Sequence, residues 1–159
     1  MKRKIIKLFL ILICMGWIFF LSSDTAEASS HKSSTVIVKV TETVLRRNLN
    51  SKEKKYYVRK FVKFVRKSAH FSLYFLLGFF VISFLMEYMI LSWKSIVYTI
   101  LFVFLYACSD EIHQLFISGR SGEVMDVFID TCGGVFSVIV YCCFKKMRRR
   151  LYEQKKAIS

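Results

Sequence analysis

Long apolar runs bracketed by Lys and Arg decide what this chain can fold into. Runs at about 5–21, 70–91, 96–114 and 124–144 approach the roughly 17–25 residues that carry a helix across a bilayer. The third is short if it stops near Ala107, and reaches that length if its helix continues through Asp110 to Gln114. Hydrophobic residues make up 55% of the chain, above the ~45–50% of ordinary soluble domains, and they cluster instead of alternating. The expected fold is an all-α, polytopic membrane protein with about four transmembrane helices plus a basic amphipathic interfacial helix. At 159 residues the chain makes one domain, spanning about 5–144, with no room for a separate soluble catalytic module.

The formal net charge of +14 raises nucleic acid as a partner, but the placement of the charge argues against it. Lys and Arg flank the apolar runs, as anchors to anionic headgroups do, whereas a nucleic-acid binder carries its basic surface on a folded soluble module. The expected partners are therefore membrane lipids and not nucleic acid. Of the five cysteines, Cys14, Cys108, Cys132, Cys142 and Cys143, nearly all fall in apolar runs, where Cys acts as a small hydrophobe. Their number is odd and their spacing fits neither a disulfide framework nor a zinc site.

Lys2, Arg3, Lys4 and Lys7 precede the first run, and Ser22 to Ser30 follow it. That order also fits a secretory signal peptide cut near Ala26 or Ala28. The run from Ile5 to Leu21 is about long enough to span, which favours a retained helix. Residues 22–69 form a polar, basic segment. In its second half Val58, Phe61, Val62 and Val65 repeat at helical spacing, with Arg59, Lys63, Arg66 and Lys67 on the other side. This pattern describes a basic amphipathic helix at the headgroups leading into the second span. The stretch Val36–Thr41 fits strand or helix equally.

Charge bias places both termini, the basic tail 145–159 and Lys94 in the cytoplasm of a multi-pass cell-membrane protein. The acidic 109–123 connection then faces outward. The basic 22–69 segment would also lie outside, against the same rule.

Polar groups concentrate between Ser109 and Gly134. Ionisable groups at the edge of hydrocarbon are costly and are usually kept for function. If the third helix continues, Asp110, His113 and Gln114 share a face at i, i+3 and i+4, with Glu111 turned aside. Asp126 and Asp130 stand one turn apart on the fourth span, as do His70 and Tyr74 on the second. Gly119 and Gly122 permit a tight turn carrying Arg120, whose planar fork suits carboxylate or phosphate. The candidate ligand-binding set is His70, Tyr74, Asp110, Glu111, His113, Gln114, Arg120, Asp126 and Asp130. His113, Asp110 and Asp126 are the candidates for acid–base catalysis. A structural network, in which Arg120 and the histidines neutralise the aspartates and lock the helices, explains the same residues. Asp110, His113, Asp126, Asp130 and His70 are all potential metal ligands, but Asp110 and His113 make only half of a bundle metal motif and no second such pair exists, so no metal or other cofactor is expected. Nucleophile elbows, phosphate loops and dinucleotide fingerprints are absent from the sequence.

Arg66, Lys67, His70, Phe71, Tyr74 and Gly78, then Asp110, Glu111, His113 and Gln114, then Gly119 and Arg120, then Asp126, Asp130 and Gly133 together resemble the pattern of the VanZ family of small bacterial membrane proteins. Ser22 and Ser23, closing the first span, also fit the family's usual ending. The resemblance covers about residues 5–144. Ser118 stands where the family often has Pro before the Gly-Arg turn, and Asp24-Thr25 stand where it tends to have Gln-Pro; both departures bear on loop geometry. The family's named member is associated with low-level resistance to teicoplanin, a lipoglycopeptide that acts outside the cytoplasmic membrane. The resemblance thus implies an envelope or resistance role and carries no reaction.

Three functions follow as expectations. The first is an outward polar cleft binding a lipid-linked cell-wall precursor, a lipid headgroup or a lipoglycopeptide, and so lowering susceptibility to teicoplanin. The second is an intramembrane hydrolase or transferase acting on a lipid-linked substrate through an Asp/His pair. The third, a purely structural polar lock, needs no ligand. A transporter fits less well, because the polar groups gather at one end and only Glu87 marks the other.

Overall fold

The computed structural model describes residues 2–158, and all regular structure within them is helical. Five helices follow in order: α1 (Lys2–Ser22), α2 (Ala26–Leu45), α3 (Ser51–Leu85), α4 (Trp93–Gln114) and α5 (Val124–Ile158). All but α2 are long and apolar enough to cross a membrane. The chain is therefore a multi-pass membrane protein of the expected all-α class.

On α1, Ile11, Cys14, Ile18 and Ser22 face inward at helical spacing, while Ile5, Phe9, Leu12, Trp17 and Phe20 are exposed. An apolar exterior is the expected face towards lipid. The buried stripe joins Tyr74, Leu77 and Val81 of α3 and Val103 and Ala107 of α4 in one core. Tyr106 also donates to the Met15 carbonyl at 2.7 Å. The first helix is thus part of the bundle.

The 22–69 segment is more regular than its polarity suggests. Thr25 caps α2 by accepting from Ala28 N–H, and Val36–Thr41, which the sequence left between strand and helix, is helical. Its β-branched run is a poor helix former by itself. It is held by packing on α3, where Val36, Ile37, Val40 and Val44 face Tyr57, Phe61, Phe64 and Val65 across an apolar groove. The basic amphipathic stretch is the first half of α3, begun by a capping box between Asn50 and Glu53. At 35 residues and ~1.5 Å per residue, α3 measures about 52 Å, against ~30 Å of hydrocarbon. Its basic half therefore projects beyond the core of the bilayer.

One expected boundary moves. The second span was expected to reach residue 91, but α3 stops at Leu85 and residues 86–92 turn. Glu87 lies in that turn, paired with Lys7 of α1. Residues 145–158, the described part of the basic tail, continue α5 as helix, since no Gly or Pro interrupts them. The third span does continue through Asp110 to Gln114.

Helices α3 and α5 run from the same end of the bundle and lie against each other. A Cβ on Gly133 would stand 2.5 Å from the Phe71 carbonyl oxygen, and one on Gly134 would stand 2.7 Å from the Val103 side chain. These two glycines let the α5 backbone approach both neighbours, as small residues do in membrane bundles. The same close approach brings Asp130, one turn earlier, beside His70.

Candidate functional site

At the end of the bundle opposite Lys7 and Glu87, four helices and the α4–α5 turn bring polar groups together in two adjoining layers. The inner layer is self-satisfied. Asp110 Oδ2 accepts from Ser22 Oγ at 2.9 Å and from Gln114 Nε2 at 3.2 Å. The Gln114 amide also reaches Glu111 Oε1 at 3.0 Å, while its carbonyl accepts from Arg120 Nη1 at 2.9 Å. Glu111 was expected to turn aside; instead it is buried, and its Oε2 accepts from Glu123 N–H at 2.9 Å. A carboxylate there satisfies an orphan donor at the start of α5 and complements the helix dipole.

His113 leaves this group. Its Nε2 meets Ser23 Oγ at 3.1 Å and its ring stacks on Phe19 with centroids 4.5 Å apart. It serves the α1–α4 contact, and no hydrogen bond joins it to Asp110 or Asp126 among the described residues. Asp126 instead pairs with Lys67 of α3. The histidine closest to a carboxylate is His70, whose Nδ1 stands 3.7 Å from Asp130 Oδ2, beyond hydrogen-bond distance.

The outer layer lines a cavity of about 90 Å³. Lys63, Arg66 and Lys67 enter from α3 and Arg120 from the turn; Glu123, Asp126 and Asp130 face them, with His70 at the floor. Gly119 adopts φ +73°, a left-handed conformation that glycine takes without strain. The turn it makes aims Arg120 back into the bundle. Arg120 Nη2 donates to the Leu21 carbonyl at 3.3 Å, whereas its Nε is buried with no partner. Burial, and then the nearby Arg66, draw the guanidinium below its ordinary pKa, against the pull of Asp110, Asp24 and Glu111. It stays protonated in any protein setting. Of the two partners the fork suits, no carboxylate pairs with it among the described residues; an amide and a carbonyl take its two terminal nitrogens.

Two further groups are buried without hydrogen bonds: the Tyr74 hydroxyl and both carboxylate oxygens of Asp130. Ligand atoms of His70, Asp110 and Asp130 all lie within 4.8 Å of one another. The sequence signals for these positions were individually weak, since each helix contributes one residue. Ser22 and Ser23 were absent from the candidate set although they hold Asp110 and His113. Their signal was a pair of small polar residues closing an otherwise apolar run.

One family model matches the chain, described as VanZ/LLP1, and the match covers residues 7–145. No curated protein and no solved structure matches it.

Proposed function

The chain belongs to the VanZ/LLP1 family, and we propose that it works at the cell membrane by holding the phosphate of an envelope lipid against Lys63, Arg66, Lys67 and Arg120. The carrying observation is the cavity lined by those four cations, one of them with a buried, unpartnered N–H. Buried donors without partners are rare, and a guanidinium fork is suited to phosphate oxygens. Size favours a small ligand group. Pockets that enclose drug-sized molecules run to ~300–1,000 Å³, so 90 Å³ holds a phosphate-sized group and excludes most of a lipoglycopeptide. A lipid-linked cell-wall precursor fits: its phosphate enters, its chain stays in the bilayer, and its head remains outside. In this reading both termini are cytoplasmic, the cavity faces outward, and any lowered susceptibility to teicoplanin is an indirect effect on precursor availability.

The test has two arms. Purified protein in nanodiscs should bind a polyprenyl-phosphate lipid, and a Lys63→Glu, Arg66→Glu, Lys67→Glu variant should bind it at least tenfold less. Equal binding by both removes the reading. Expression in a sensitive host tests the resistance arm: an unchanged inhibitory concentration of teicoplanin removes that arm alone.

The polar lock remains the better account of the inner layer. Asp110, Glu111, Gln114 and Ser22 consume one another's hydrogen bonds, which suits positioning more than turnover.

A further inference from the structure

Asp130 is fully buried, and neither of its oxygens accepts a hydrogen bond. A carboxylate in that state is expensive unless a charge balances it. None of the four cations that share its cavity pairs with it among the described residues: Lys67 pairs with Asp126 and Glu123, Arg120 donates to Gln114 and Leu21, and Lys63 and Arg66 line the wall. What faces Asp130 is His70 on α3 and a second buried carboxylate, Asp110 on α4. As metal ligands, two carboxylates and an imidazole would together present a charge of about −2, which a divalent cation cancels.

We propose that His70, Asp110 and Asp130 form a binding site for one divalent first-row transition ion, Mn²⁺ or Zn²⁺. One nitrogen and two carboxylate donors suit that class of ion better than the all-oxygen preference of Mg²⁺ or Ca²⁺. The three ligand atoms lie within 4.8 Å of one another. Donors at ~2.0–2.2 Å from one ion stand closer together than that, so binding draws the three side chains inward. Asp110 is already oriented, because Ser22 and Gln114 both donate to its Oδ2 and no hydrogen bond falls on Oδ1 among the described residues. Outer partners of this kind fix the direction of a metal-binding carboxylate. An independent observation points to the same place. The Tyr74 hydroxyl, one turn along α3 from His70, is also fully buried without a partner. His70 and Asp130 also line the cavity, so the site adjoins its polar wall. The sequence argued against a metal because Asp110 and His113 formed only half a motif. The site drawn by the fold omits His113 and takes one ligand from each of three helices.

The site does not depend on the lipid reading, and its test uses no lipid. Full-length protein in nanodiscs is stripped with chelator, repleted with Mn²⁺ or Zn²⁺, desalted and assayed for metal. About one equivalent per chain is expected, and the Mn²⁺ form should show electron–nuclear coupling to a single imidazole nitrogen. His70→Ala and Asp130→Asn should each weaken binding at least about tenfold, and Ser22→Ala by about tenfold through Asp110. His31→Gln, on exposed α2, should leave it unchanged. Negligible retention of either ion overturns the proposal. So does retention without nitrogen coupling, or retention indifferent to His70 and Asp130, because the ion then sits elsewhere. If the ligand variants fail to accumulate, the nitrogen coupling of the wild-type protein decides.

Discussion

Ser22, the last residue of α1, donates a 2.9 Å hydrogen bond to Asp110 of α4, and both side chains are buried. The bond joins residues far apart in sequence and fastens the first helix to the polar end of the bundle. Hydrogen bonds to charged acceptors contribute more than neutral ones, while those between membrane helices fall short of their ideal value. Ser22→Ala is therefore expected to destabilise the protein by about 1–2 kcal/mol. Ser23→Ala loses a less buried contact with His113 and should cost less. Thermal unfolding in mild detergent orders the two variants, and the reverse order would contradict this account.

That bond also marks the limit of what the sequence made legible. Four spans, the helical continuation through Gln114 and the location of the polar end follow from apolar run length and i, i+4 spacing, both local properties. The pairing of His113 with Ser23 and of Asp126 with Lys67 does not, because it depends on how neighbouring helices are rotated about their axes. Asp110 and His113 lie three residues apart and share one side of α4 in projection. Yet Asp110 faces the bundle interior and His113 faces the Phe19 ring, a difference set by where α1 docks. Glu111 was misjudged for the same reason, since its partner, the Glu123 N–H, belongs to the next helix start.

The glycines of α5 make a second expectation. At Gly133 an added methyl meets the Phe71 carbonyl, which belongs to helical backbone and cannot turn away. Gly133→Ala should cost about 1–3 kcal/mol by overpacking and should weaken any function of His70 and Asp130 by parting α3 from α5. Gly16 on α1 has nothing within 4 Å of such a methyl. Gly16→Ala should be neutral or stabilise by up to about 1 kcal/mol through helix propensity. Equal losses in both variants, measured as detergent-solubilised yield and unfolding temperature, would refute the close-approach argument.

Acid should loosen the α2–α3 hairpin. Glu42 accepts from Leu49 N–H at 3.0 Å and pairs with Lys54, and the Leu49 bond first, then Lys54, hold its carboxyl below its ordinary pKa. A carboxylate depressed in the folded state stabilises that state above its unfolded pKa, and the contribution is lost as pH falls through the folded value. Protection of the hairpin amides against hydrogen exchange should therefore be constant near neutrality and fall below the ordinary glutamate range. Glu42→Gln should flatten that part of the profile. A hairpin equally protected on both sides of the range would show that the turn is held by its apolar face alone.

Arg120 separates a charge from a fork. Its Nη1 reaches Gln114 and its Nη2 reaches the Leu21 carbonyl, while Nε is buried without a partner. Lysine keeps the charge but gathers its three donors on one nitrogen, so it cannot span two separated acceptors and a phosphate as a planar fork does. Arg120→Lys should therefore lower affinity for a polyprenyl-phosphate lipid by about tenfold or more, about 1.4 kcal/mol per decade, with a modest loss of thermal stability. Lys67→Arg preserves both charge and reach to Asp126 and should bind nearly as the parent does. Titration of the two variants in nanodiscs at fixed ionic strength compares them directly. If Arg120→Lys binds as well as the parent, the cavity attracts phosphate by charge alone, and the buried guanidinium belongs to the structural layer with Gln114.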